Sequence, residues 1–146
     1  MKPLGGFAIL ISKEMSQTEK QIIGALGENK AVEFLKQKGF SILNRNYRKP
    51  WGEIDIVVKK GSTIYFVEVK TVSRLSDDVI HETDYYEPED NIHPWKLKRL
   101  YRAINSYLEE NDINEDEIDW QLDAITVYLE QGSGKVFKIE HLEDIA

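Results

Sequence analysis

The sequence predicts one domain of the α/β or α+β class, and three observations carry that prediction. The chain has 146 residues, 41% of them hydrophobic and 31% charged, the balance of a single soluble globular domain with its own core. Its hydrophobic period changes from helical spacing before Gly39 to strand-like alternation after Phe40. The elements then read, in order, as helix, strands, helix, strands.

Residues 1–15, with Gly5-Gly6 and one short apolar run, read as an N-terminal extension, and residues 16–146 as the domain. Ser16 followed three residues later by Glu19 fits a capping box. A helix should run from there to about Lys38, with Gly39 as its stop and Ile23, Leu26, Ala31, Val32, Phe34 and Leu35 as its apolar stripe. Phe40 to Asn44 reads as a short strand, and Arg45 to Pro50 as a basic connection. Residues 53–60 and 63–72 are rich in β-branched and aromatic side chains, and Gly61-Ser62 between them suits a two-residue hairpin turn. Residues 73–93 lack a period and read as a loop. Pro94 suits the first position of a second helix carrying Leu97, Leu100, Tyr101, Ile104 and Leu108 on one face. Two further strands, 120–129 and 135–139, flank Gly132-Ser133-Gly134.

Several chemistries are excluded by composition. Without cysteine there is no disulfide framework, thiolate metal site or cysteine nucleophile. His81, His93 and His141 are too far apart for the short spacing of a zinc-binding helix. The longest apolar run, Phe7 to Ile11, is far short of the ~20 residues of a membrane span. The expectation is a cytoplasmic protein with no membrane partner. The net charge of −7 argues at first against nucleic acid, but it averages two unlike parts. Residues 1–75 carry 13 basic and 7 acidic side chains; residues 76–146 carry 6 and 19. The basic half is the one that should meet a polyanion.

The hairpin carries the chemistry. With Gly61 and Ser62 as the loop, Lys60 pairs with Thr63, which sets Asp55 opposite Glu68 and Glu53 opposite Lys70. Ile54, Ile56, Val58, Val67 and Val69 then fill the other face. Facing carboxylates repel unless a cation lies between them, and hard oxygen donors suit Mg²⁺ or Mn²⁺. Such an ion polarises a phosphate oxygen, and a neighbouring lysine stabilises the charge that develops. A surface ladder in which Lys70 pairs with Glu53 or Asp55 accounts for the same spacing. Glu28 lies on the helix edge shared with Ala31, Val32 and Leu35, where an acid needs either a metal or a salt-bridge partner.

At these residues the sequence resembles a known family. Gly24-Ala25-Leu26-Gly27-Glu28, Ile42 to Arg48, Gly52-Glu53-Ile54-Asp55 and Phe66-Val67-Glu68-Val69-Lys70-Thr71 resemble the YraN-like family of proposed endonucleases, within the PD-(D/E)xK, restriction-endonuclease-like superfamily. The resemblance covers residues 20–146. It implies an α/β fold, a restriction-endonuclease-like mixed β-sheet flanked by helices. It also implies Asp55 and Glu68 as ligands of a divalent metal, Lys70 as catalytic lysine and Glu28 as an auxiliary acid. The expected ion is Mg²⁺ (or Mn²⁺), with Glu28 as a further ligand and Glu53 beside it completing the site. A glutamate on the first helix is similar to Holliday-junction resolvases, which implies branched DNA as substrate and a homodimer.

For the nucleic acid, Arg45, Arg48 and Lys49 with Tyr47 and Trp51 form one basic cluster, and Lys96, Lys98, Arg99 and Arg102 a second at the start of the second helix. The second reads equally as a solvated face. Trp95 and Trp120 read as core or edge packing. Residues 77–90 hold seven acids and no lysine or arginine and read as a solvated loop, with Tyr85-Tyr86 as a weak stacking element. The expected function is a metal-dependent endonuclease hydrolysing phosphodiester bonds in structured or branched DNA. The rival is a non-catalytic nucleic-acid- or protein-binding module that keeps the fold. RNA as substrate is not separable from DNA by sequence.

Overall fold

A computed structural model of the chain describes residues 16–74 and 93–145. The extension 1–15, the acidic segment 77–90 and Tyr85-Tyr86 lie outside these residues. Among the described residues two helices sandwich a five-stranded mixed sheet, the α/β arrangement of a restriction-endonuclease-like fold.

Helix α1 (Gln17–Gln37) starts at the expected capping box: the Ser16 hydroxyl accepts the Glu19 N–H, and the Glu19 carboxylate accepts the Ser16 N–H. It ends at Lys38, and Gly39 turns the chain with φ +93°. The chain continues as β1 (Ser41–Lys49), β2 (Gly52–Lys60) and β3 (Thr63–Arg74), an antiparallel meander. Helix α2 (Pro94–Glu110) crosses over to β4 (Asp119–Glu130), which pairs parallel with β3, and β5 (Val136–Leu142) closes the sheet antiparallel to β4. Among the described residues no helix is long and apolar enough to cross a membrane.

Each helix buries its own face of the sheet. Ala31, Val32 and Leu35 of α1 pack on Ile56, Val58, Val67, Ile125 and Val127. Leu100, Ala103, Ile104, Tyr107 and Leu108 of α2 pack on Ile54, Val57, Ile64, Phe66 and Leu122. Full burial of each large apolar side chain stabilises the fold by roughly 1.5–3 kcal/mol. Two glycines let the layers close. A Cβ at Gly27 would lie 1.9 Å from the Thr71 hydroxyl oxygen, and one at Gly52 2.2 Å from the Arg99 carbonyl oxygen.

The structure corrects two local expectations. Arg45 to Lys49 is not a connection but the second half of β1, because Arg45, Tyr47, Arg48 and Lys49 pair with β2 at Ile56, Ile54, Glu53 and Gly52. The pairing also decides which way Ile54 faces. Ile54 belongs to the α2 core whereas Ile56 and Val58 belong to the α1 core, so the alternation slips by one between them. On β1 the level partner of that slip is Asn46, whose left-handed φ of 52° lets the strand follow.

At the far side of the sheet, Asp123 of β4 is fully buried and fully engaged. It accepts hydrogen bonds from the Gln121 side chain (2.9 Å) and the Asp144 N–H (2.9 Å), and its other oxygen lies 2.8 Å from His141 Nε2. This cluster fastens β5 and the chain after it to β4.

Candidate active site

The hairpin register is the expected one: Lys60 pairs with Thr63, and the ladder runs to Ile56 opposite Val67. There it stops. The next step, Asp55 against Glu68 and Glu53 against Lys70, is not made as ladder pairing. Instead the two strands part, and the Asp55 carboxylate takes the Val69 N–H at 2.8 Å. The phase slip turns Asp55 toward α1, while Glu68 sits on the α2 side of the sheet, yet the two carboxyl groups meet within hydrogen-bonding reach across the opening. Burial first, and the charge of Glu68 second, push the Asp55 carboxyl up to about 8; the Val69 N–H opposes the shift and nearby Glu28 adds to it.

Glu53 faces β1 instead of Lys70. It pairs with Arg48 at 2.8 Å, directly across the β1–β2 ladder. Lys70 stands next to Glu68 and Lys96. Burial, reinforced by the Lys96 charge and opposed by Glu68, holds its ammonium below the usual lysine value. Lys96 Nζ is 2.5 Å from Glu68 Oε2. Burial works against that ammonium, but the hydrogen bond to Glu68 and the charges of Glu68, Asp55 and Glu53 outweigh it and hold its pKa above the ordinary value.

Glu28 is drawn to β1. Its Oε1 accepts from Arg45 Nη2 (2.9 Å), Arg45 Nε (3.2 Å) and Asn46 Nδ2 (3.0 Å), so its charge is met by a guanidinium. Among the described residues no three His, Asp or Glu side chains converge as a ready-made metal cage. The acids that do meet are Asp55 and Glu68, with Glu28 close enough to add to the field at Asp55.

The pair stands between two hollows. On the α1 side a cleft of about 820 Å³ is lined by Lys20, Glu28, Arg45, Asn46, Arg48 and Asp55, among others. On the α2 side a pocket of about 380 Å³ is lined by Glu68, Trp95, Lys96, Arg99 and Leu100, among others. The first basic cluster is thereby divided. Arg45 and Arg48 face the cleft, whereas Lys49 ion-pairs with Glu110 at 2.8 Å. Of the tryptophans, Trp120 packs edge-on against Phe66 and Tyr101 as expected. Trp95 does not pack: it is 64% exposed, because the buried face of α2 begins only with Leu97 and Leu100.

The profile of "Uncharacterised protein family UPF0102" matches residues 27–127. The chain belongs to this family, the YraN family. It is 39% identical over 126 residues to a UPF0102 protein of Flavobacterium psychrophilum, covering 86% of this chain and 94% of that one. To a UPF0102 protein of Alkaliphilus oremlandii it is 39% identical over 122 residues, 84% and 95% of the two chains. To one of Campylobacter jejuni it is 36% identical over 104 residues, 71% and 81%. The UPF0102 match takes in Glu28, the β2–β3 hairpin and most of β4, the elements that build the acid pair and its surroundings.

Proposed function

We propose that this protein is a divalent-metal-dependent endonuclease that hydrolyses phosphodiester bonds in DNA, with structured or branched DNA as its substrate. The observation that carries the reading is the Asp55–Glu68 pair. A fold gains nothing from pressing two carboxylates together where one must hold a proton to near pH 8. A hard divalent cation removes that conflict, and the oxygen donors fit Mg²⁺ or Mn²⁺.

Asp55 and Glu68 would hold the ion, which when bound supplies Lewis-acid polarisation of the phosphate and a more acidic water. The residues of the chain have distinct tasks around it. Val69 N–H fixes the Asp55 carboxylate. Lys70, with its lowered pKa, positions the attacking water and stabilises charge on the phosphate oxygens. Glu28, held by Arg45 and Asn46, borders the same cleft and adds to the negative field at Asp55. Arg45 and Arg48, and across the sheet Lys96 and Arg99, are placed to contact the phosphate backbone on either side. Glu53 serves by holding Arg48.

The test is Mn²⁺- and Mg²⁺-dependent cleavage of a panel comprising linear duplex, flap, four-way junction, single-stranded DNA and RNA, with Asp55→Ala as control. Metal-dependent cleavage lost in the control supports the reading. Binding without turnover in either metal overturns it in favour of a non-catalytic binding module.

A further inference from the structure

We infer that the pocket on the α2 side binds one unpaired nucleotide of the DNA, with Trp95 as the surface on which its base stacks; the inference rests on the nuclease reading above. The starting point is a cost. A tryptophan buries 150–250 Å² when it packs and is among the largest single contributors to a core, yet Trp95 leaves 64% of its surface in water. The other two tryptophans have tasks in the fold. Trp51 donates its Nε1–H to the Ser106 hydroxyl at 2.7 Å, and Trp120 donates to Glu115 at 2.9 Å while packing on Phe66. Among the described residues Trp95 makes neither a hydrogen bond nor a ring contact.

Its surroundings say what it could hold. The pocket of about 380 Å³ that it borders has Leu100, 2% exposed, in its lining, and Lys96 and Arg99 beside it. A flat apolar ring next to two cations suits a group that is planar and apolar on its faces and anionic at its edge, which describes a nucleobase with its phosphate. Glu68 lines the same pocket. A base resting on Trp95 therefore places its own backbone next to the Asp55–Glu68 pair.

The geometry also limits which nucleotide can enter. Inside a duplex both faces of a base are covered by its neighbours, and only the edges are offered to a protein. A base that stacks on Trp95 has to have a free face, as at a flap, a bulge, a junction or a single-stranded end. Stacking tolerates every base, so the pocket selects for unpaired structure and not for sequence.

The experiment is a binding titration of the full chain in EDTA, where no cleavage occurs. The ligands are dye-labelled flap duplex, single strand and blunt duplex of one sequence, read by anisotropy. The parent should bind the flap and the single strand more tightly than the blunt duplex. Trp95→Ala should weaken the first two by about 5- to 150-fold, the contribution of stacking one base, and leave the blunt duplex within about twofold. Trp95→Phe should keep most of the affinity for the unpaired ligands. Quenching of tryptophan emission by the flap should disappear in Trp95→Phe. Equal affinities of parent and Trp95→Ala for the flap overturn the inference and leave the nuclease reading standing, as does an equal loss on all three ligands. If the parent binds none of the three ligands in EDTA the inference falls, and the cleavage panel in Mg²⁺ and Mn²⁺ decides the nuclease reading separately.

Discussion

Lys96 Nζ lies 2.5 Å from Glu68 Oε2, so the first turn of α2 supplies a cation to one of the two acids at the opening of the β2–β3 hairpin. Asp55, the other acid, has the Val69 N–H and a raised pKa. The two carboxylates are thus stabilised differently, one by a salt bridge and one by keeping its proton. Each arrangement has a measurable consequence.

The raised pKa of Asp55 makes stability depend on pH in the absence of metal. Its carboxyl titrates at about 8 in the folded chain against 3.8 for the ordinary aspartate. Between those values the folded state binds more protons than the unfolded one, so stability falls as pH rises through that window. In EDTA the Tm should decrease from about pH 5 to about pH 8. Asp55→Asn, which cannot ionise, should flatten that part of the profile.

Metal should act in the opposite direction. An ion bound only by the folded chain stabilises it by roughly 2.7 kcal/mol at a hundredfold excess over Kd. Mg²⁺ or Mn²⁺ should therefore raise the Tm of the parent, most strongly above neutral pH, and should not raise that of Glu68→Ala. Lys96→Met removes the cation that already occupies Glu68. Its Mg²⁺ midpoint, followed by calorimetry, should move to lower concentration.

For turnover, Lys70→Ala should lower kcat by about 10²–10³-fold, the usual cost of losing one group that stabilises charge developing in the transition state. Asp55→Ala should abolish metal-dependent cleavage. Far-UV circular dichroism should match the parent in both, since neither side chain belongs to the apolar clusters of the core. Rates equal to the parent in either variant would remove that residue from the site.

Gly27→Ala should destabilise the chain by about 1–3 kcal/mol, the usual cost of overfilling a packed contact. The added methyl would sit 1.9 Å from Thr71 Oγ1 and 2.7 Å from its Cγ2, pushing α1 away from β3. Thr71→Ala removes both atoms, so the double variant should recover part of the urea midpoint lost by Gly27→Ala alone. Full additivity of the two changes would show that the contact is not the cause.

Elements governed by local rules were legible before the fold. Ser16 and Glu19 cap each other within one turn, Gly61 bends the hairpin, and Leu100, Ile104 and Leu108 recur at helical spacing. These depend on neighbours in the chain, so the residue pattern determines them: the class, the helix starts, the hairpin register as far as Ile56 and Val67, and the candidacy of Asp55, Glu68 and Lys70. Tertiary structure decided the rest. Arg45 to Lys49 became strand because β2 offered backbone partners. The strands parted beyond Ile56 and Val67, and the slip at Asn46 and Asp55 turned Asp55 toward α1. Packing of α2 against the sheet set Lys96 onto Glu68 and left Trp95 in solvent. Spacing along a chain specifies which side chains share a face. Burial, and the charges that meet from separate elements, exist only once the layers have closed.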